Sequence, residues 1–399
     1  MSRGAAPERT WPLLSPFAAL AAALGVYVLI NGPATGSDTH GYVLWADRLT
    51  ANGFNYSAVL REYGEPMGAT YALFVGLVAL LRLAFAEHWG SALIVLNVLC
   101  VAATGALLAR LAVRVTGNRA AGWAALGLFL LCHDLWLWTP YLLSDSVFLL
   151  FAFSVFLMEA SRLLAKGKAW PPVFAASAAA SLFRPTGMVL FAVTSWSFVL
   201  AKLPDRAGAR WLALLGLALA GAAGATLFGW IVEVPARWPF PFGARALRYI
   251  SAAYSEGLVV WQRPETYLAP PHGLGGYLAI MAARFGWFFA PGAAGYSGAH
   301  WAMQIAFFAP AYALACWFMA TLLTGRSTLE RGSRDVGLAA LGAIILYAMF
   351  HALMHVDYDW RYRVPVLPHL ILLAACGFSD LQARWSARTA PPSLSFATA

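Results

Sequence analysis

The sequence has few charged residues: 11% of its 399 residues are Asp, Glu, Lys or Arg, whereas 61% are hydrophobic. Soluble domains carry roughly 25% charged residues, so this composition excludes a soluble globular protein. Several apolar runs approach the ~20 residues that span a bilayer, among them Trp11–Ile30, Ala92–Leu111 and Trp211–Val232. The sequence therefore predicts an all-α integral membrane protein.

Cysteine and nucleotide-binding motifs are scarce as well. The four cysteines lie inside apolar runs and none belongs to a CxxC pair, which excludes a disulfide framework and a thiolate metal site. There is no P-loop and no GxGxxG that opens a helix, so no nucleotide site is expected. The net charge of +9 comes from basic residues at the edges of apolar runs. This distribution is typical of membrane topology, and we expect no nucleic-acid partner.

Lysine and arginine in short loops mark the cytoplasmic side of a membrane protein. Arg3 and Arg9 precede the first apolar run, which is longer than the ~7–15 residues of a signal-peptide core, so we expect an uncleaved anchor. With both termini inside, every short loop assigned to the cytoplasm is basic. About ten crossings are then predicted: Trp11–Ile30, Gly90–Leu111, Ala120–Trp138, Leu143–Leu164, Trp170–Phe183, Pro185–Leu200, Trp211–Val232, Trp301–Leu323, Val336–Met354 and Val364–Leu381.

The outer segments 31–89 and 233–300 contain shorter apolar stretches. Counting Thr70–Ala86 as a crossing would place the basic loop Arg110–Arg119 outside. We therefore interpret Thr70–Ala86 as an interfacial helix or a shallow hairpin, and Gly275–Ala290 as a second interfacial helix. Residues 1–383 form a single transmembrane domain in this interpretation, and 384–399 form a cytoplasmic tail that is expected to be disordered.

Acids, histidines and arginines from separate stretches fall at the outer face of this threading. Charges at such depth are costly unless they are paired or functional. Arginines on the outer side also run against the positive-inside tendency. These residues are Asp38 and His40; His133 and Asp134; Asp145; Arg184; and, near the end, His351, His355, Asp357, Asp359, Arg361 and Arg363.

This set of side chains suits an enzyme that acts on a lipid-linked phosphate. Arginine has forked donors that match phosphate oxygens, and a carboxylate can accept a proton from an acceptor hydroxyl. A sugar donor carried on a polyprenyl phosphate meets these requirements without a nucleotide site. The aromatic residues expected at the interface are Trp45, Trp136, Trp138, Tyr141 and Trp360.

Four short motifs resemble a known family. They are Asp38 in GSDTHGYVLWADRL, Asp145 in YLLSDS, the pair Arg184-Pro185, and RYRVPVLP from Arg361 to Pro368. Together they resemble the GT-C superfamily of polyprenyl-phosphate-sugar-dependent membrane glycosyltransferases. The relatives nearest in style are protein O-mannosyltransferases, aminoarabinose transferases and bacterial lipopolysaccharide-core transferases. Two interfacial helices after the first aspartate also belong to the family pattern, and Thr39–Asn52 and Thr70–Ala86 resemble them.

The resemblance implies an inverting transfer to a hydroxyl of a lipid, glycan or protein at the extracytoplasmic face of a cell inner or plasma membrane. Asp38 would be the general base, and Asp145 would orient the acceptor or help to hold a divalent metal ion. Arg184, Arg361 and Arg61 would bind the donor phosphate. Arg61 is included because Glu65-Pro66-Met67 replaces the basic stretch of many relatives. The remaining substrate-binding candidates are His40, Tyr42, Asp134, Tyr141, His355, Asp357, Asp359 and Tyr362.

Several candidates also have a purely structural interpretation. Asp38 and Asp145 each precede a predicted helix and suit helix caps. Arg184 can extend its head to the lipid headgroups, and the DYDWRYR stretch can neutralise itself by internal salt bridges. Because His351 and His355 share a helix face, a metal site completed by Asp357 or Asp359 stays open.

Two other classes of function stay open beside the transferase. A lipid or solute transporter or flippase would also place polar groups among helices, although it is expected to show symmetric repeats and ionisable groups at mid-membrane. A non-catalytic scaffold, or a polymerase or ligase of polysaccharides with another lipid-linked substrate, is the second alternative.

Overall fold

The computed structural model of the protein describes residues 14–63, 71–204, 207–233, 244–356 and 360–389. These ranges are helical and contain no β-strand beyond isolated bridges, which join Ala34 to Tyr141 and Val260 to Val356. Six helical segments are long and apolar enough to cross a membrane. The predicted class, a multi-pass helical membrane protein, is confirmed.

The described helices are numbered here in chain order. They are α1 (Leu14–Asn31), α2 (Thr39–Ala51), α3 (Tyr56–Tyr63), α4 (Ala72–Phe85), α5 (Trp89–Thr116), α6 (Arg119–Leu131), α7 (His133–Trp136), α8 (Asp145–Ala165), α9 (Pro171–Ser181), α10 (Met188–Lys202), α11 (Ala207–Glu233), α12 (Ala244–Ser255), α13 (Gly273–Phe288), α14 (Gly298–Leu323), α15 (Arg331–Leu353) and α16 (Leu367–Thr389). Short 3₁₀ turns cover Ala86–His88, Pro185–Gly187, Pro264–Thr266 and Arg361–Val366.

Nine of the ten predicted crossings each overlap one of these helices, whereas Ala120–Trp138 is wrong as a single helix, because the chain breaks at Cys132 between α6 and α7. The helices also differ in length. The six long spans include α8, α14 and α15, whereas α1 and α6 are shorter apolar helices. Helices α9 and α10, with 11 and 15 residues, are joined by a 3₁₀ turn and pack on each other. The number of about ten crossings stays a prediction.

The basic loops meet at one end of the helix bundle. Arg331, at the start of α15, donates to the carbonyl of Leu203 after α10 at 2.5 Å. Arg384, in α16, donates to the carbonyl of Arg326 after α14 at 2.6 Å. We call this the basic end. The opposite end, where α8 begins with Asp145, is called the site end.

Helix α4 begins and ends near the site end. The N–H of Leu73 donates to the carbonyl of Leu182, in the turn between α9 and α10, at 2.9 Å. Helix α5, which follows α4, begins with Gly90 against Leu142. Helix α4 packs on α2 as well as on α5. It lies within the candidate membrane span Ala72–Thr116, so the interfacial position of Thr70–Ala86 stays a prediction.

The last span is the centre of the bundle. In the segment Arg361–Thr389, 89% of the apolar window is buried, against 11% in Trp211–Glu233. Helix α16 packs on α5, α6, α14 and α15, which explains its burial. Helix α11 instead packs on α12, α13 and α15, and its end contributes Val232 to a second, smaller apolar cluster with Tyr254 and Ile280.

The boundary of the last helix differs from the prediction. Helix α16 continues to Thr389, so the first residues of the tail expected to be disordered, 384–389, are helical. The helix extends because its last turns are anchored at the basic end, where Arg384 pairs with Asp380 at 2.7 Å. The rest of the predicted tail, 390–399, lies outside the described residues.

Candidate active site

Four charged side chains from four separate segments form a continuous series at the site end. Arg361 Nη2 lies 3.0 Å from Asp38 Oδ2, and Arg361 Nε lies 3.9 Å from Asp145 Oδ1. The same oxygen of Asp145 accepts a hydrogen bond from Arg184 Nη1. We call Asp38, Arg361, Asp145 and Arg184 the charge chain. Acids and bases alternate along it, so each buried charge lies beside an opposite one.

The two aspartates differ in access to solvent. The side chain of Asp38 is 25% exposed, whereas that of Asp145 is 3% exposed. Neither carboxylate forms the expected cap hydrogen bond, although Asp38 precedes α2 and Asp145 is the first residue of α8. Both side chains face arginine instead. The capping interpretation therefore does not account for these acids, and Asp38 is the carboxylate of the charge chain that solvent reaches.

Arg184 is held at the tight turn between α9 and α10. A Cβ on Gly187 would lie 1.9 Å from the carbonyl oxygen of Ala180, so this approach of the two helices requires glycine. Arg184 is 4% exposed and does not extend to the headgroups. Burial alone would lower its pKa, but neighbouring Asp145 and Tyr71 raise it, so that the side chain stays cationic.

Arg361 and Arg363 lie on one 3₁₀ turn, Arg361–Val366. The turn begins at Trp360, whose φ of +57° is unusual for a residue with a side chain. The indole of Trp360 is buried and donates to the carbonyl of Trp287 at 2.7 Å. Because the indole is fixed, the turn starts in a defined direction, and both arginines point into the protein.

Aromatic rings line the charge chain. The ring centroid of Tyr362 lies 5.2 Å from the guanidinium carbon of Arg361 and 5.9 Å from that of Arg184. Trp138 lies 5.8 Å from the guanidinium of Arg361. Tyr42 is buried, with its hydroxyl 3.4 Å from that of Ser144. Burial raises the pKa of Tyr42, so its phenol remains protonated at neutral pH.

Asp134 forms a second buried ion pair. One of its oxygens accepts from Arg363 Nε at 2.9 Å and Nη2 at 2.6 Å, and the other accepts from Gln304 at 2.8 Å. Asp134 is 4% exposed. Since both oxygens are engaged in a closed environment, the structure favours a structural role for Asp134 over the predicted substrate-binding role.

The pair of histidines does not form a metal site with other described residues. Helix α15 ends near His351, whose ring stacks between Phe288 at 5.6 Å and Tyr362 at 5.1 Å. No group of three or more metal-ligating side chains occurs in the ranges that the structure covers. Burial, and then the nearby Arg284, lower the pKa of His355 to about 4, so this imidazole is neutral at pH 7.

The other predicted residues are spread around the charge chain. His40 is exposed in the first turn of α2. The half-buried Tyr141 packs on Trp138 with ring centroids 5.0 Å apart. Arg61 is exposed in the last turn of α3, and none of the ion pairs seen among described residues joins it to the charge chain. Arg61 is therefore not placed with the phosphate-binding candidates. Asp357 and Asp359 lie outside the described residues.

Two residues that the sequence interpretation did not assign take prominent places. Tyr71 is electrostatically coupled to members of the charge chain, and no sequence signal marks it. Arg284 is fully buried in α13 and donates to the carbonyls of Leu258 at 2.8 Å and Met354 at 2.5 Å. A lone arginine in an apolar run was a usable signal for Arg284, because such a charge needs a specific partner.

Comparison with known proteins adds no relative to this picture. No protein-family model, no curated protein and no solved structure matches the chain significantly.

Proposed function

We propose that the protein is a glycosyltransferase that moves a sugar from a polyprenyl-phosphate donor to an acceptor hydroxyl. The observation that carries the proposal is the charge chain, in which a partly exposed carboxylate, Asp38, contacts an arginine that is itself backed by a second acid and a second arginine. A base beside phosphate-binding cations is the arrangement that this transfer needs.

The proposed chemistry assigns one step to each end of the charge chain. Asp38 accepts the proton of the acceptor hydroxyl while the hydroxyl oxygen bonds to the anomeric carbon. The bond between that carbon and the phosphate oxygen breaks on the opposite side, which inverts the configuration. The polyprenyl phosphate leaves with the electron pair, and Arg361 and Arg184 stabilise the charge that develops on it.

Arg184 has N–H donors left for a phosphate oxygen. A guanidinium has five N–H donors, and Arg184 uses Nη1 for Asp145. Its buried Nε has no hydrogen-bond partner among the described residues. A buried N–H group without a hydrogen-bond acceptor is costly. A phosphate oxygen of the polyprenyl-phosphate sugar would accept a hydrogen bond from this N–H group.

An isoprenoid chain can approach the site from the lipid. Helices α2 and α4 pack together beside the charge chain and present Leu44 and Leu73 to the surroundings, 41% and 42% exposed. Exposed apolar side chains at this level suit contact with lipid tails. We propose that this is the extracytoplasmic face, because the basic loops lie at the other end.

Sugar transfer by purified protein tests the proposal. The substrates are synthetic polyprenyl-phosphate sugars with a panel of lipid, glycan and peptide acceptors, and the product is identified by mass spectrometry. In Asp38→Asn the rate should fall ~10²–10⁴-fold because the general base is lost, while the variant still folds, because Asp145 remains beside Arg361.

Asp47→Asn is the matched control, since Asp47 lies on α2, the helix that Asp38 precedes, is 54% exposed and pairs with Arg82. It should transfer sugar at the wild-type rate. Wild-type transfer by Asp38→Asn, or an equal loss in both variants, would remove Asp38 from the chemistry.

The transporter alternative receives less support. Glu159, inside α8, is an ionisable group in a membrane span, as transporters use. Its two oxygens accept hydrogen bonds from Thr194 at 2.6 Å and Ser197 at 2.8 Å. Glu159 is fully buried, so this carboxyl joins α8 to α10 and faces no open path.

A further inference from the structure

A cavity of about 260 Å³ opens at the basic end, far from the charge chain. It lies between the end of α8, the loop before α9, the end of α10 and the start of α15. Among the described residues, its charged lining consists of five cations and one carboxylate: Arg162, Lys166, Lys168, Lys202, Arg331 and Asp335. We call this cavity the basic pocket.

The basic pocket and the charge chain lie at opposite ends of the same helices. Helix α8 runs from Asp145 to Ala165, 21 residues, which is a length of roughly 30 Å. Helix α10 likewise begins just after Arg184 and ends at Lys202. No residue of the charge chain lines the basic pocket, so the pocket is a separate site.

Its cations form two layers. Arg162 and Arg331 are half-buried in the walls, and Lys166, Lys168 and Lys202 are exposed. Arg331 lies 3.6 Å from Asp335 and donates to the carbonyl of Leu203. The Nε of Arg162 is buried without a hydrogen-bond partner in the described part of the chain. The pocket therefore has more positive charge than its one carboxylate balances, and a donor without an acceptor.

Helix-end electrostatics explain part of this arrangement. Cations at the ends of α8 and α10 are favourable, because the C-terminal end of a helix is partially negative. Arg331 is the first residue of α15, where the helix dipole disfavours a cation. An anion in the basic pocket would offset this cost, since it contacts the N-terminal end of α15 as well as the cations.

The backbone at Lys166 also favours a specific role. Lys166 has a φ of +51°, and a glycine, Gly167, follows it. A left-handed conformation is unfavourable for a residue with a side chain, and glycine is the usual occupant of such a helix end. A lysine takes this position instead, and it lines the basic pocket.

We propose that the basic pocket binds a phosphate group, carried either by an anionic lipid headgroup or by a soluble phosphate compound. Two arginines in the walls supply forked donors and three lysines supply further positive charge, which are the groups that bind phosphate oxygens. The volume lies just below the ~300–1,000 Å³ of drug-sized ligand pockets, which suits a headgroup. The proposal does not depend on sugar transfer.

Lipid titration of the full chain in detergent, followed by native mass spectrometry, tests this site. The probes are phosphatidylglycerol, phosphatidylcholine with the same acyl chains, and inorganic pyrophosphate. The pocket variant is Lys166→Gln/Lys202→Gln, which changes exposed side chains. The matched control is Arg110→Gln/Arg388→Gln, which removes the same charge from exposed positions on α5 and α16 outside the pocket.

We expect the wild type and the control to bind phosphatidylglycerol at least about tenfold more tightly than phosphatidylcholine, and the pocket variant to lose this preference. Should pyrophosphate bind, again only with the pocket lysines present, while the two lipids bind equally, the ligand is a soluble phosphate compound. Equal losses in the pocket variant and the control, or no effect of the pocket lysines on either probe, would overturn the proposal.

Discussion

Arginine side chains have different surroundings at the two ends of the helix bundle. At the site end, Arg184, Arg361 and Arg363 are nearly buried and each contacts an aspartate. At the basic end, the basic pocket gathers five cations around one carboxylate, and several of them are exposed. A buried charge needs an opposite charge within the protein, whereas an exposed charge is solvated by water and stays available to a ligand. The charges of the site end are therefore balanced within the protein, whereas the basic pocket keeps an excess of positive charge among its described lining residues.

The largest effect on stability should come from breaking the second buried pair. Asp134→Asn leaves Arg363 buried without its counter-charge, and loss of one partner of a buried pair costs ~3–5 kcal/mol. Replacing both partners, as Asp134→Leu/Arg363→Met, should recover most of this loss. Thermal unfolding in detergent measures both variants. A single variant as stable as the wild type would show that the pair is not needed for folding.

Next in size is the effect of replacing Arg361 by lysine. The positive charge remains, but lysine cannot contact Asp38 and Asp145 with separate nitrogens, as Arg361 does, nor give the proposed phosphate two parallel donors. We expect sugar transfer to fall ~10²–10³-fold, as on removal of one oxyanion donor. Arg82→Lys is the control, because Arg82 pairs with Asp47 at the surface. If Arg361→Lys keeps full activity, the guanidinium shape has no role.

A smaller effect concerns pH. The pKa of His355 is about 4 in the folded protein, below the ~6.5 of an unfolded chain. As the pH falls from about 6.5 to 4, the imidazole of His355 binds a proton in the unfolded chain but stays neutral in the folded protein. The free energy of unfolding therefore decreases by up to about 3 kcal/mol. His355→Asn lacks this proton and should lose less stability over the same range. Parallel pH profiles of unfolding would contradict the assignment.

The smallest effect belongs to the basic end. Lys202→Gln, measured in detergent without anionic lipid or phosphate, should change the free energy of unfolding by no more than about 0.5 kcal/mol, because Lys202 is exposed. The comparison between the two ends is tested most directly by the difference between this variant and Asp134→Asn in the free energy of unfolding. A loss of several kcal/mol would mean that the lysine already has a structural partner.

Charge patterning alone was enough to predict which polar residues share one end of the protein. Asp38 and Arg361 are 323 residues apart in sequence and still contact each other. The two residues were grouped because basic loops and apolar lengths predict the direction of each span, and these directions stay a prediction. The positions of the helices followed from the same signal, since an apolar run in a bilayer must form a helix.

The sequence did not predict which aspartate pairs with which arginine. Arg361 and Arg363 are two residues apart, but the first contacts Asp38 and the second contacts Asp134. Which acid meets which arginine depends on side-chain directions set by a 3₁₀ turn and by the buried Trp360. Arg61 was chosen because this chain lacks the family's basic stretch. Helix α3 leaves Arg61 exposed, and its role in phosphate binding stays a prediction.

The turn that carries both arginines has a mechanical consequence. Arg361 and Arg363 share one rigid piece of backbone, and Arg363 is anchored to Asp134 by two hydrogen bonds. In the proposed reaction a sugar phosphate has to approach Arg361, because moving this guanidinium outward would also break the hydrogen bonds between Arg363 and Asp134. The position of Arg361 would then set the distance between Asp38 and the leaving oxygen, and so the length of donor that fits.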